Sequence, residues 1–180
     1  MSEQDEQAVE QIDNGGVHDG TATEGHVSWV VTGPDGEVKA EGTDGNVITR
    51  IGNQMYAERG AGLTTTATPT GAKLGTGSTA VAKSGAGSAL TTYLTNSHQT
   101  QTGSPATALN GDARRITYTF TFAAGKATTA SNITEAVIVN DVLADATSPE
   151  GNTVSRVLLS PPAPKGASDT LTLTWTHDIG

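Results

Sequence analysis

Hydrophobic and polar residues alternate strictly in two late segments of the chain. In RRITYTFTF (114–122), Ile116, Tyr118, Phe120 and Phe122 fall on one side and Thr117, Thr119 and Thr121 on the other. DTLTLTWTHDI (169–179) repeats the design, with Leu171, Leu173 and Trp175 set against Thr170, Thr172, Thr174 and Thr176. A period of two gives a strand one buried and one open face, as in antiparallel sandwich strands. HVSWVVT (26–32) alternates in the same way, and GPDG (33–36) after it has proline and Asp-Gly where a tight turn needs them. Residues 37–41 then return as the second strand of a hairpin. Ile133–Val139 and Thr153–Leu159 are further strands, and SPPAPKGASD (160–169) reads as a Pro-rich connection.

The spacing changes between residues 46 and 59, where Val47, Ile48, Ile51, Met55 and Tyr56 recur at intervals of three and four. This predicts one short amphipathic helix over about residues 46–58, with Asn46 as N-cap. Residues 60–112 form a long Gly-, Thr-, Ser- and Ala-rich stretch anchored by Leu74, Val81, Leu90, Tyr93 and Leu94. Short strands are expected near 72–75 and 89–94, followed by an exposed loop. Residues 1–25 have no hydrophobic periodicity; Val9, Ile12 and Val17 stand isolated among charges and glycines. That segment is expected to be a solvated arm, or one that orders against a neighbouring subunit. The fold expected is all-β: an antiparallel β-sandwich over 26–180 with one helix, long loops and an extended acidic arm.

Composition supports that outline and narrows function. With 180 residues the chain is long enough for one domain with a sizeable core, yet only 4% of it is aromatic. Ten Lys and Arg against nineteen Asp and Glu give a formal charge of −9. No basic surplus exists to displace counterions from phosphates, so a nucleic-acid partner is not expected. Seven of the acidic residues lie in the first 25 positions, which leaves −2 for the other 155 residues. Cysteine is absent, which removes disulfides, thiol catalysis and cysteine-ligated metals. No apolar run reaches the length of a membrane span, and MSEQDEQAVE lacks the basic and apolar regions of a signal peptide. A soluble chain outside the standard secretory route, with no membrane partner, is expected.

Candidate chemistry is sparse. LGTGSTA (74–80) matches the G-x-G-x-x-A dinucleotide pattern, but no convincing helix follows and no acidic residue lies between Glu58 and Asp112 to hold a ribose. A Gly-rich turn is the better reading. His18, His26, His98 and His177 have no metal-ligand spacing, and no G-x-S-x-G elbow is present. Asp35, Asp44 and Asp112 sit beside glycines in turns, without a calcium-loop pattern. Glu135 and Asp141 are the carboxylates to consider for a glycosidase pair, and their positions cannot be read from spacing. Asn132-Ile133-Thr134 is a glycosylation sequon without a secretory context. The basic doublet Arg114-Arg115 is expected to flank a strand end or to pair with the acidic arm. No catalytic residue, cofactor or metal is expected.

The order of the pieces carries a resemblance. NVITRIGNQMYAERG, AKLGTGSTA, RRITYTFTFAAG, ITEAVIVND, RVLLSPPAPKG and DTLTLTWTHDI follow one another over about residues 46–179. The series resembles a group of virion structural proteins of tailed viruses of bacteria and archaea. Their shared turns are matched by Asn46, Ile48 and Thr49, by Leu74–Gly77, by Ile133–Ala136 and by Leu171–Trp175. The resemblance implies a non-enzymatic decoration or minor capsid protein, assembled in the host cytoplasm into a virion. Its partner would be the major capsid protein, and a homotrimer is the favoured oligomer. A tail, fibre or baseplate role is the near alternative, and a carbohydrate- or cell-surface-binding β module the more distant one. The arm lies outside the resemblance; its Glu3, Asp5, Glu6, Glu10 and Asp13 are the expected partner-binding residues, facing a basic surface.

Overall fold

The computed structural model describes residues 23–129 and 131–180. Ten strands and one helix follow in chain order: β1 (Glu24–Thr32), β2 (Val38–Gly45), β3 (Val47–Ile48), α1 (Arg50–Gly60), β4 (Gly71–Gly75), β5 (Gln99–Thr100), β6 (Ala106–Asn110), β7 (Ala113–Phe122), β8 (Ile133–Val139), β9 (Thr153–Ala163) and β10 (Thr170–Ile179). They form two five-stranded antiparallel sheets, ordered β2-β1-β10-β7-β6 and β3-β9-β8-β4-β5. This is the expected all-β sandwich.

The three alternating segments lie side by side in the first sheet. Trp175 pairs with Val27 on one flank and Tyr118 on the other, and Leu173 pairs with Trp29 and Phe120. That register puts all the large apolar side chains of three strands on one face. Trp29, Trp175, Phe120, Phe122, Leu171 and Leu173 are fully buried there, against Leu74, Ile133, Ile138, Val154 and Val157 of the other sheet. Each such side chain contributes about 1.5–3 kcal/mol by leaving water. The threonines form cross-strand pairs on the outer face, Thr172 with Thr121, Thr174 with Thr119 and Thr176 with Thr117. β-branched hydroxyl side chains suit that half-exposed pleated surface.

The helix differs from expectation at its start. Val47 and Ile48 pair with Arg156 and Ser155 as a short strand, so the helix begins at Arg50. Its N-cap is Thr49, whose Oγ1 accepts from the Gly52 amide at 3.2 Å. Asn46 spends its side chain elsewhere, accepting from Ser155 Oγ at 2.9 Å. Gly52 lets the helix lie close to β9, since a Cβ there would meet the Val154 carbonyl.

Other boundaries also move. Glu24 and Gly25, assigned to the arm, open β1, and β2 runs on to Gly45. No strand forms over 89–94; Tyr93 alone bridges to Gly75. The Thr91 and Thr92 amides donate to a side-chain carboxylate instead of a neighbouring strand. Part of the expected exposed loop is strand β6, paired to the first half of β7. β9 continues through Pro161 and Pro162 to Ala163 because that end lies at a sheet border, where prolines need not donate. Asp44 of β2 accepts from the Ser160 amide there, joining the borders of the two sheets.

Candidate functional site: a buried charged brace and an open rim

Three of the motif segments meet at one buried ion pair. Glu135 projects from β8 and Arg156 from the neighbouring β9; Arg156 Nη2 donates to Glu135 Oε2 at 2.7 Å, and both side chains are sealed from solvent. Glu135 Oε1 also accepts from the amides of Gly77 at 3.0 Å, Thr92 at 2.9 Å and Thr91 at 3.2 Å. The guanidinium donates to the carbonyls of Thr79 at 2.8 Å and Gly87 at 2.9 Å. One charged pair thereby ties two stretches of the long loop, 77–80 and 87–92, to the middle of a sheet. The L-G-x-G turn has a steric reason: a Cβ on Gly75 would lie 2.6 Å from Glu135 Oε1, and one on Gly77 would strike Thr91 and Glu135. The glycines of the dinucleotide-like pattern therefore wrap a carboxylate of the protein itself.

A second buried cation is satisfied internally. Lys73 of β4 donates to the Ala146 carbonyl at 2.8 Å and to Ser148 Oγ at 2.7 Å, and Ser148 donates to Asp141 at 3.0 Å. Burial lowers the Lys73 pKa, while Asp141 and Asp145 pull it back up. Its ammonium lies 5.9 Å from the centre of the Tyr93 ring. The Tyr93 hydroxyl donates to Asp145 at 2.7 Å, and burial, aided by that bond, pushes the phenol up to about 12. Asp145, which also accepts from the Asn96 amide, is held below the usual carboxylate range. Glu135 and Asp141 belong to these two separate networks and are not brought together as a catalytic pair.

The described histidines are dispersed. His26 is exposed on β1, and His98 stands beside Asp145 at 3.6 Å. His177 is buried on β10, its Nδ1 2.6 Å from the Tyr56 hydroxyl, which is 3.2 Å from that of Tyr118. Burial drives the His177 pKa down to about 3, with Asp178 opposing the shift, and raises those of Tyr56 and Tyr118. Among the described residues, no three His, Asp or Glu side chains converge as metal ligands. His18 lies outside them.

The basic doublet divides its roles. Arg115 forms a two-pronged pair with Asp178, at 2.8 and 2.7 Å, and Asn110 adds a bond to the same carboxylate. Arg114 is exposed. The expected partner-binding residues Glu3, Asp5, Glu6, Glu10 and Asp13 lie outside the described residues. The aromatic side chains lend themselves to no sugar platform: both tryptophans and both phenylalanines are buried in the core, and Tyr56 and Tyr93 are half-buried in the hydrogen bonds above.

Among the described residues, Val142, Leu109, Val38 and Leu63 are the large apolar side chains left exposed. β6 is exposed along its whole length, has no charged residue and carries Leu109 at 75% exposure. Edge strands of this kind present unpaired backbone groups to other chains. Two crevices, of about 410 and 420 Å³, open at the end of the sandwich where β1 begins. No family model, curated protein or solved structure matches this chain.

Proposed function

We propose that the protein is a non-enzymatic virion structural protein, a decoration or minor capsid component bound to the outer surface of an icosahedral shell. The observation that carries this reading is the Glu135–Arg156 brace. It joins the L-G-x-G turn, the I-x-E-A strand and the RVLLS strand, three of the segments that resemble those of tailed-virus structural proteins. The shared pattern is thus a pattern of scaffold, in which charge holds long loops rigid over a sheet. A rigid loop and an uncharged open edge offer what a repeated protein lattice can grip: main-chain hydrogen bonds and shape. Assembly as a trimer about a local threefold would bury area beyond that of a single small core.

The test is rebinding. Purified protein is titrated onto shells of its virus stripped of this component, and bound copies are counted. Saturation at one trimer per local threefold, or one copy per shell subunit, is the expected result. Absence of saturable binding to shells, with binding to tails or to host cells instead, would overturn it.

A further inference from the structure

Among the described residues, four strands end the two sheets: β2, β6, β3 and β5. β3 and β5 have two residues each, and β2 carries Lys39, Glu41 and Asp44, charges of the kind that keep an edge from pairing. β6 has five residues, none charged and all exposed. Thr107 pairs with Ile116 of β7 and Leu109 with Arg114, and Ile116 packs against the core. Thr107 and Leu109 therefore lie on the core-facing side of their sheet, yet the opposite sheet does not cover them.

The turn after β6 fixes which of its backbone groups are free. Asn110 pairs with Ala113 across Gly111 and Asp112, and Gly111 has a φ of 60°, as the first central position of a type II′ turn requires. A two-residue loop of this kind closes on a hydrogen-bonded pair, and such pairs alternate along an antiparallel ladder. Ala106, Ala108 and Asn110 thus turn their amides and carbonyls towards β7, whereas Thr107 and Leu109 turn theirs outward.

We propose that β6 pairs with β6 of a second copy of this chain, antiparallel, about a twofold axis at Ala108. In that register Thr107 of each copy faces Leu109 of the other, and the outward amides and carbonyls of both residues find partners. Ala108 faces its own counterpart in a non-hydrogen-bonded pair. The ends agree as well: Pro105, which has no amide proton, falls opposite Gly111, where the strand turns. A shift of two residues either way sets Pro105 or Gly111 against an outward-facing residue and loses bonds. No like charges meet, because the strand has none, and each exposed Leu109 is covered by the other copy. The contact is closed and self-complementary. It assigns this edge to a neighbouring copy and leaves the braced loops for a shell; it rests on the chain alone and not on the virion reading.

A single-strand contact is small beside the roughly 1,200–2,000 Å² of a stable interface, so a covalent trap is the suitable readout. The chain has no cysteine, and one introduced thiol reports the register. Cα atoms of a non-hydrogen-bonded pair lie about 4.5 Å apart, within disulfide reach. Under mild oxidation, full-length Ala108→Cys should form disulfide-linked pairs about tenfold faster than Ala106→Cys, whose two copies are far apart in this register. Adding Leu109→Lys to Ala108→Cys should slow linkage about tenfold by placing a charge in the contact. Adding Thr107→Glu as well supplies the opposite charge at the facing position and should restore part of the rate; urea midpoints serve as the folding control. Equal rates at positions 106 and 108, or a rate indifferent to Leu109→Lys, would overturn the proposal. Slow linkage at both positions would overturn it too, giving the edge to an unlike chain.

Discussion

Arg156 and Glu135 show how a charged residue can belong to a core. Neither touches water, and nearly every polar atom of the pair meets a partner; only Arg156 Nε lacks one. Removing one member of such a pair strands the other in a low-dielectric interior, which costs about 3–5 kcal/mol. Glu135→Gln and Arg156→Met should each destabilise the protein by that amount in urea unfolding. The double variant should cost less than the sum by more than 1 kcal/mol; strict additivity would mean that the two do not act together. His177 makes a different prediction. Its folded pKa of about 3 lies below the ordinary 6.5, so the unfolded chain takes up the proton first. Stability is then fully present above about pH 6.5 and declines as pH falls, by up to about 1.4 kcal/mol per unit. Between pH 6.5 and 5, above the carboxylate range, His177→Gln should flatten that slope; an unchanged slope would contradict the assignment.

At the scale of elements, β10 is the central strand of its sheet and Trp175 its largest core residue. Trp175→Ala should cost about 3–5 kcal/mol, and a loss below 1 kcal/mol would contradict the register. Leu109→Lys on the exposed edge strand β6 should stay within about 0.5 kcal/mol of the wild type, since nothing packs on that side chain. Strands with strict alternation were legible in the sequence because one face of each packs into the core; β1 alternates along its whole length, β7 from Tyr118 onward and β10 from Thr170 to His177. What alternation does not encode is where a backbone amide finds its acceptor. Residues 89–94 have apolar anchors suited to a strand, yet Thr91 and Thr92 donate to Glu135, more than forty residues away in sequence. The helix start was hidden for a similar reason. Asn46 and Thr49 are both good capping residues, and the choice between them depends on β9, which pairs with Val47 and Ile48 and leaves Thr49 to cap. Even so, Glu135 carried a signal: it is the lone acid in the apolar run of β8, as Arg156 is the lone cation of β9.

For the molecule as a whole, charge is divided by depth and by region. Buried Glu135, Arg156 and Lys73 hold loops to sheets, the outer face of one sheet is a field of threonines, and six of the nineteen acids precede β1. The sandwich is braced from within and leaves the edge strand β6 open. Removal of the N-terminal acidic segment has a defined limit. Residues 24 and 25 pair with Asp178 and His177, so a deletion must stop at residue 22 to spare β1. Deleting residues 2–22 should leave the unfolding midpoint of the sandwich within a few degrees and, under the proposed virion role, lower occupancy on the shell; unchanged occupancy would remove this segment from any binding role.

The proposed role is tested most directly by the quantitative protein composition of purified virions from a culture that produces this chain, counted against the major capsid protein and the tail tube. Hundreds of copies per particle are expected, near one per capsid subunit or one trimer per local threefold. A few copies would place the protein at the tail or a vertex, and complete absence from the particles would contradict the structural role.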